Sequence, residues 1–416
     1  CNKVRLMPFT TTFASLSSKG FSSDLPIFVD YLLEDTELVS TSLIDGGVSI
    51  AGDTADAIIL GDPSFTKSTF PSITQCGRVF IEGMAGNTLP SFSTATAVET
   101  GTVFLQELGR DTSIDKNGTY AVASPTGPST SSGVDNSHIY YAATANNWSL
   151  QTTIGPVGTY DTFGQNGVIN QNGDTISVHG KVAGGTESIE ISSRTGVSTW
   201  SFDQTLTNGG TNDAFGARSD FNTAGDALVV GAYAFDGATY TNEGRAYIYE
   251  LSGGTWSLTA TLQSPVTPTQ NDWSFGIQVQ MNTTGDSVVI SALRAFGTGA
   301  AFRFEKSGGT WSHTATFQPV DDLDGQTLQA SGVSMKANKN DHTIIIMHGQ
   351  VPLAGAYGQG RVFIGQLGSG TYVQSQTIPF ANSGSMRPMS FTNDGSKFIG
   401  KSYVGGNTNL VLYAKA

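Results

Sequence analysis

The strongest constraint in this sequence is a pattern that returns every fifty-odd residues. Its clearest copy, residues 213–265, reads DAFGARSDFNTAGDALVVGAYAFDGATYTNEGRAYIYELSGGTWSLTATLQSP. It holds an FG dipeptide (Phe215, Gly216), a short alternating run, an Asn-Thr-Ala-Gly-Asp turn and an apolar stretch at 227–231. A Gly-rich loop leads to a second apolar stretch at 244–250, and a Gly-Gly turn to a Trp-led one at 256–262. Four short strands joined by turns make a sheet that stays unburied until copies stack beside it, and a four-stranded meander at this period is the mark of a propeller blade.

Counting the copies fixes the architecture. The outermost strand recurs as ELVSTSL (37–43), FSTATAV (92–98), WSLQTTI (148–154), WSFDQTL (200–206), WSLTATL (256–262), WSHTATF (311–317) and YVQSQTI (372–378), with ends 52 to 61 residues apart. The second strand recurs as AIILG, TYAVA, TISVH, ALVVG, SVVIS, TIIIM and KFIGK, and the third as RVFIE, HIYYA, ESIEI, RAYIY, AFRFE, RVFIG and LVLYA. The first outer strand has no blade before it, and the last third strand (410–414) has no outer strand after it. One economical solution follows: 37–43 pairs beside LVLYA and closes the ring, removing an edge that an open array would expose. The expectation is an all-β protein, a seven-bladed β-propeller of four-stranded blades over 37–416, preceded by an N-terminal arm, 1–36. Within that arm, FSSDLPIFVDYLLED fits either a short helix opened by Asp24 or an extended strap.

The turns agree. Asn117-Gly118, Asn172-Gly173, Gly225-Asp226, Gly285-Asp286 and Asp394-Gly395 all fall between first and second strands, where tight hairpins need positive φ. Trp148, Trp200, Trp256 and Trp311 each open an outer strand, where a large ring covers the seam between blades.

Composition mainly excludes. Fifty-one Gly with only 13% charged residues suits turn-rich β structure. A net charge of −13 and no Lys/Arg cluster argue against a nucleic-acid groove, and no apolar run is long enough to span a membrane. The two cysteines, Cys1 and Cys76, are not paired by spacing alone; a lipid-bearing N-terminal Cys is one reading of Cys1, an arbitrary boundary the plainer one. The five histidines (138, 179, 313, 342, 348) show no zinc spacing, and no nucleophile elbow or phosphate loop occurs. Asn117, Asn147 and Asn282 begin glycosylation sequons.

At FGARSDF, GDALVVGA, GRAYIYE and WSLTATL the chain resembles the FG-GAP repeats of integrin-α-like seven-bladed propellers, in their bacterial and viral branch. The resemblance is fullest at 209–265 and 268–318 (Phe275, Gly276), less full at 157–208 (Phe163, Gly164), and faint in the first two and last two units. It implies an extracellular, cell-surface or virion-surface location and a part in adhesion, without catalysis. Such units often carry a DxDxDGxxD calcium loop. The equivalent here, with Asp220, Asn222 and Asp226 as the only metal candidates, is one residue shorter and lacks the central acid, so no cofactor is expected, calcium being the one alternative. The densest acidic patch, Asp321-Asp322-Leu323-Asp324, reads as a solvated connection.

Functionally, these readings lead to a non-enzymatic module that recognises a glycan or protein through variable loops at 62–77, 124–137, 232–243 and 349–359. The candidate contact residues are Phe65, Phe70, Asp135, Asn136, Phe235, Asp236, Tyr240 and Tyr357. Two alternatives stand beside it. One is an architectural piece of a virion tail or surface filament, docked to other subunits by residues 1–36. The other is a propeller lyase or glycosidase, betrayed by a cluster of ionisable groups at the mouth of the central channel.

Overall fold

The structure, a computed structural model, describes residues 31–40, 48–52, 57–62, 78–84, 88–90, 97–100, 107–125, 134–144, 147–320, 334–353, 356–379, 387–404 and 407–415. They form seven four-stranded antiparallel sheets, the blades of a seven-bladed β-propeller. One short 3-10 turn, Ala295–Gly297, is the single helical element among the described residues. We number the blades 1 to 7 from the inner strands Val48–Ile50, Asp111–Ile114, Tyr160–Ile169, Arg218–Phe221, Gln278–Met281, Met335–Ala337 and Arg387–Phe391.

The ring closes as the strand count requires. Tyr31–Ser40 is the outer strand of blade 7, antiparallel to Asn407–Lys415, with Glu37 opposite Leu410 and Leu33 opposite Tyr413. The strand begins at Tyr31, ahead of the expected 37–43, so Tyr31–Asp35 are extended rather than helical. Residues 1–30 and 41–47, with Cys1, Cys76 and the acidic patch at 321–324, lie outside the described residues.

In blade 1 the outer strand among the described residues is Glu99–Thr100, with Glu99 opposite Val79 and the Val98 N–H bonded to the Val79 carbonyl (2.8 Å); residues 92–96 of the expected strand lie outside the described residues. One further expectation is corrected, that of a loop at 349–359. In blade 6, 349–359 is no loop: the strands Ile344–Leu353 and Ala356–Gly368 run through it, and Tyr357 belongs to the second of them.

The core lies between blades, not within them. Seven apolar clusters fill the seven seams; that between blades 4 and 5 joins Val229, Ile248 and Leu262 to Trp273, Phe275, Val288 and Phe302. Trp148, Trp200, Trp256 and Trp311 border the seam with the preceding blade, as their position predicts. The FG pair explains how blades approach so closely. Phe275 is fully buried in the seam, while Gly276 at φ +96 lies against the end of blade 4's second strand. A Cβ on Gly276 would meet the Arg245 carbonyl, and one on Gly231 would meet the Gly276 carbonyl, so both positions require glycine. Phe163-Gly164 and Phe215-Gly216 repeat the arrangement.

Candidate functional site: the central lumen

Alternation along the inner strands divides their side chains between two environments. In Arg218–Phe221, Ser219 and Phe221 are buried and Arg218 and Asp220 half-buried; Gln278–Met281 repeats this, burying Val279 and Met281. The half-buried set lines a central lumen of about 290 Å³.

Antiparallel pairing orients this lumen. Arg218 pairs with Gly231, at the end of the second strand, so each inner strand starts on the side of the second-to-third-strand loops and descends to its hairpin turn. The loop side is the mouth and the turn side the floor. At the floor, backbone bonds link neighbouring turns: Lys116 N–H to Gln171 O, Thr223 N–H to Thr283 O, Thr283 N–H to Lys339 O, Asn340 N–H to Asn393 O, and Asn393 N–H to Gly52 O. Across them Asn393 Nδ2 donates to Gln171 Oε1 at 3.0 Å, joining blades 7 and 3. Both residues are buried, as side chains in the neck of an open tube would not be. The lumen is therefore a cup.

Most polar groups in its wall are already engaged. Inner strands of neighbouring blades do not pair, so side chains staple them. Ser49 Oγ donates to Thr112 O (2.9 Å), and Ser113 Oγ accepts from Ile169 N–H (3.2 Å). Ser177 and Ser219 share a bond (3.1 Å), and Ser390 Oγ accepts from Ile50 N–H (3.1 Å). Gln280 bonds both backbone groups of Ala337 (2.6 and 2.8 Å). Asp220 Oδ2 accepts from Met281 N–H (2.9 Å), while its Oδ1 takes the Lys339 ammonium at 2.8 Å; Lys339 also donates to Phe221 O. Lys339 is only 7% exposed, and it ties blades 4 and 6 together past blade 5.

Three ionisable groups stand apart from this stapling: Asp111, Arg218 and Lys336. Arg218 donates one N–H to the Ala217 carbonyl (2.6 Å), and neither it nor Asp111 forms an ion pair among the described residues. The Lys336 amine has neither a hydrogen bond nor an ion pair among them. Burial in the lumen wall holds this amine below the ordinary lysine range; Arg218 and Lys339 add to the fall, while Asp220 and Asp111 oppose it. Three basic side chains thus share the lumen with two carboxylates inside a chain whose net charge is −13.

The residues expected to bind are elsewhere or otherwise occupied. Asp220, Asn222 and Asp226 do not converge. Asp220 faces the lumen, whereas Asn222 Oδ1 accepts from the Gly225, Asp226 and Ala227 N–H groups and its Nδ2 donates to Asp226 (2.7 Å). Around the mouth, the Phe235 ring lies 3.9 Å from the Arg245 guanidinium, and Asp236 Oδ1 caps Asn242 N–H (2.9 Å). Tyr240 N–H donates to Glu243 (3.1 Å), and Asp135 N–H to the Phe163 carbonyl (3.1 Å). Asn136 is exposed and donates to Thr153 (3.3 Å). Phe65 and Phe70 lie outside the described residues. The histidines are dispersed: His138 bonds Glu99, His179 bonds Glu187, and His342, fully buried, bonds Ser287. The Asn282 sequon is sealed, since its side chain is buried and caps its own turn. Sequence reasoning missed Arg218, Lys336 and Asp111. The available signal was the alternating run after each FG, ARSDF and IQVQM, whose polar positions point away from the seam.

No protein-family model matches the chain, and no curated protein matches it. Solved structures do. A candidate 6-phosphogluconolactonase from Bacteroides uniformis is 12% identical, aligned over 83% of this chain and 89% of its own, with a TM-score of 0.49. The periplasmic gluconolactonase PpgL of Pseudomonas aeruginosa is 10% identical over 84% of this chain and 98% of its own, again at 0.49. U3-55K is 9% identical over 88% of this chain and 95% of its own, also at 0.49. These are likenesses of fold. One expectation is corrected: two of these three structures are named as lactonases, and the non-enzymatic reading is withdrawn.

Proposed function

We propose that the protein is a ligand-binding propeller whose site is the lumen cup, and that it takes up a small organic anion there, a carboxylate in the first instance. The observation that carries this reading is the Arg218 guanidinium, which has no ion pair among the described residues and shares the lumen of a strongly acidic chain with the Lys336 amine. A guanidinium suits a planar carboxylate, and a confined, partly desolvated wall strengthens the attraction. The outer surface repels anions at long range, so selectivity favours a ligand small enough to enter the mouth.

At the level of family, we read the chain as an FG-GAP-like, integrin-α-like propeller presented outside a cell or on a virion. Support comes from the FG pairs at Phe163, Phe215 and Phe275, which do one structural job in three successive blades. The loops at the mouth would then meet a partner glycan or protein.

The test is calorimetric titration of the full chain with acetate, lactate and phosphate, and with neutral glucose as control, at two salt concentrations. Carboxylate binding that weakens with salt and disappears in Arg218→Gln and Lys336→Met supports the reading. Binding unchanged by both substitutions, or equal binding of glucose, overturns it.

A further inference from the structure

We infer that Lys336 is the reactive amine of the lumen, condensing with the carbonyl of a small 2-oxo acid or aldehyde acid whose carboxylate is held by Arg218. This rests on the reading of the lumen as an anion site and adds chemistry to it.

The geometry selects this lysine. Lys336 sits midway along the inner strand of blade 6, between the buried Met335 and Ala337, so its side chain is the one of the three that faces the cup. Lys339, three residues on, is fixed to Asp220 and the Phe221 carbonyl. Lys336 has no such partner among the described residues. An amine bound in an ion pair is a poor nucleophile; one left without a counter-ion, in a wall that disfavours charge, presents its lone pair. The groups facing it are Asp220 and Arg218 of blade 4, Asp111 of blade 2 and the Lys339 ammonium, and the two cations help to keep it neutral.

The chemistry balances within the site. The lone pair of the neutral Nζ adds to the carbonyl carbon as the C=O π electrons move to oxygen. Proton transfer from nitrogen to oxygen gives a carbinolamine, and loss of one water leaves a C=N bond to the lysine. Asp111, free of an ion pair among the described residues, is positioned in the same wall to carry the proton. No oxidant or metal enters. Arg218, on blade 4's inner strand, supplies the carboxylate contact that separates a 2-oxo acid from an uncharged ketone.

The experiment treats the full chain with pyruvate and sodium cyanoborohydride, which reduces the C=N bond to a stable secondary amine, and reads the adduct by intact mass and peptide mapping. The expected result is labelling of Lys336 several-fold faster than of exposed lysines, the direction in which a larger neutral-amine fraction moves it. Lys336→Arg, which keeps a long basic side chain without the nucleophilic amine, and Lys336→Met should both lose this adduct with unchanged circular dichroism; acetone should label far more slowly than pyruvate. Uniform labelling of all lysines, or an undiminished adduct in Lys336→Arg, overturns the inference. Lactate, which has no carbonyl, separates the two readings. If lactate binds the wild type but pyruvate leaves no adduct on Lys336, the anion site stands and the amine chemistry falls. If neither binds, both fall.

Discussion

Blades meet twice in this molecule, at the seams and at the lumen, and the two joints are built on opposite principles. The seam between blades 4 and 5 is dry: Val229, Ile248, Phe275, Val288 and Phe302 are fully buried, and glycines at 231 and 276 let the backbones close in. The lumen a few residues away is polar, and neighbouring inner strands are held there by side-chain bonds: Ser113, Asp220, Gln280 and Ser390 each accept from the last N–H of the next inner strand, while Ser49 and Ser219 bond differently. Apolar packing is non-directional, so one solution serves every seam and is repeated. Hydrogen bonds are directional, so the backbone donor keeps its place from joint to joint while the side chain that accepts changes among Ser, Asp and Gln. The seams therefore carry the stability and the lumen carries the individuality that a ligand reads.

The sharpest attack on that division is at the seam. Phe275→Ala removes a fully buried ring and should cost about 3–5 kcal/mol, measured by urea unfolding, with the ring of blades failing together. A loss below 1 kcal/mol would mean that the seam is not where stability resides. Gly276→Ala adds one methyl at φ +96, beside the Arg245 carbonyl, and should cost about 3 kcal/mol by the same measurement. Lumen staples should matter less. Lys339→Met strands the Asp220 carboxylate with only the Met281 N–H; the partial exposure of Asp220 limits the loss to about 2 kcal/mol. Should it equal that of Phe275→Ala, the lumen is a second core and the contrast fails.

The same contrast governs what the sequence made legible. Seam features recur in copy after copy, so the blade number, the Trp positions, the turn glycines and the closing strand could all be counted. Lumen residues occupy equivalent places but change identity: Arg218 in blade 4 stands where blade 5 has Gln278, and Lys336 has no counterpart of its charge in either. A method that looks for recurrence passes over them. Loop residues were chosen for variability, but variable residues also hold loops together, as Asp236 does for Asn242 and Phe235 for Arg245.

Between the two extremes stand the floor turns, repeated enough to align and varied enough to test. Asn170, Asn222, Asn282 and Asn338 each turn a side-chain oxygen onto backbone N–H groups of their own hairpin. Blade 2 has Asp115 at this place, its Oδ1 accepting from Thr119 N–H (2.6 Å) and Tyr120 N–H (3.2 Å). Burial pushes its carboxyl up to about 6, against an ordinary 3.8; the backbone bonds and Arg194 only partly offset this. Below pH 3.8 both folded and unfolded chains hold the proton, and the residue is neutral in its effect. Between 3.8 and about 6 the folded chain keeps a proton that the unfolded chain has released, so stability falls as pH rises; above about 6 both are ionised and the penalty is complete. Asp115→Asn keeps the oxygen acceptor without the charge. Its advantage over the parent should therefore be absent near pH 3.5, grow through pH 4 to 6, and level off at no more than about 3 kcal/mol, the worth of that shift, seen as a higher urea midpoint at pH 7. An advantage that does not change with pH would mean that the gain comes from turn geometry, and that a buried charge in the floor is as well tolerated as the lumen's own.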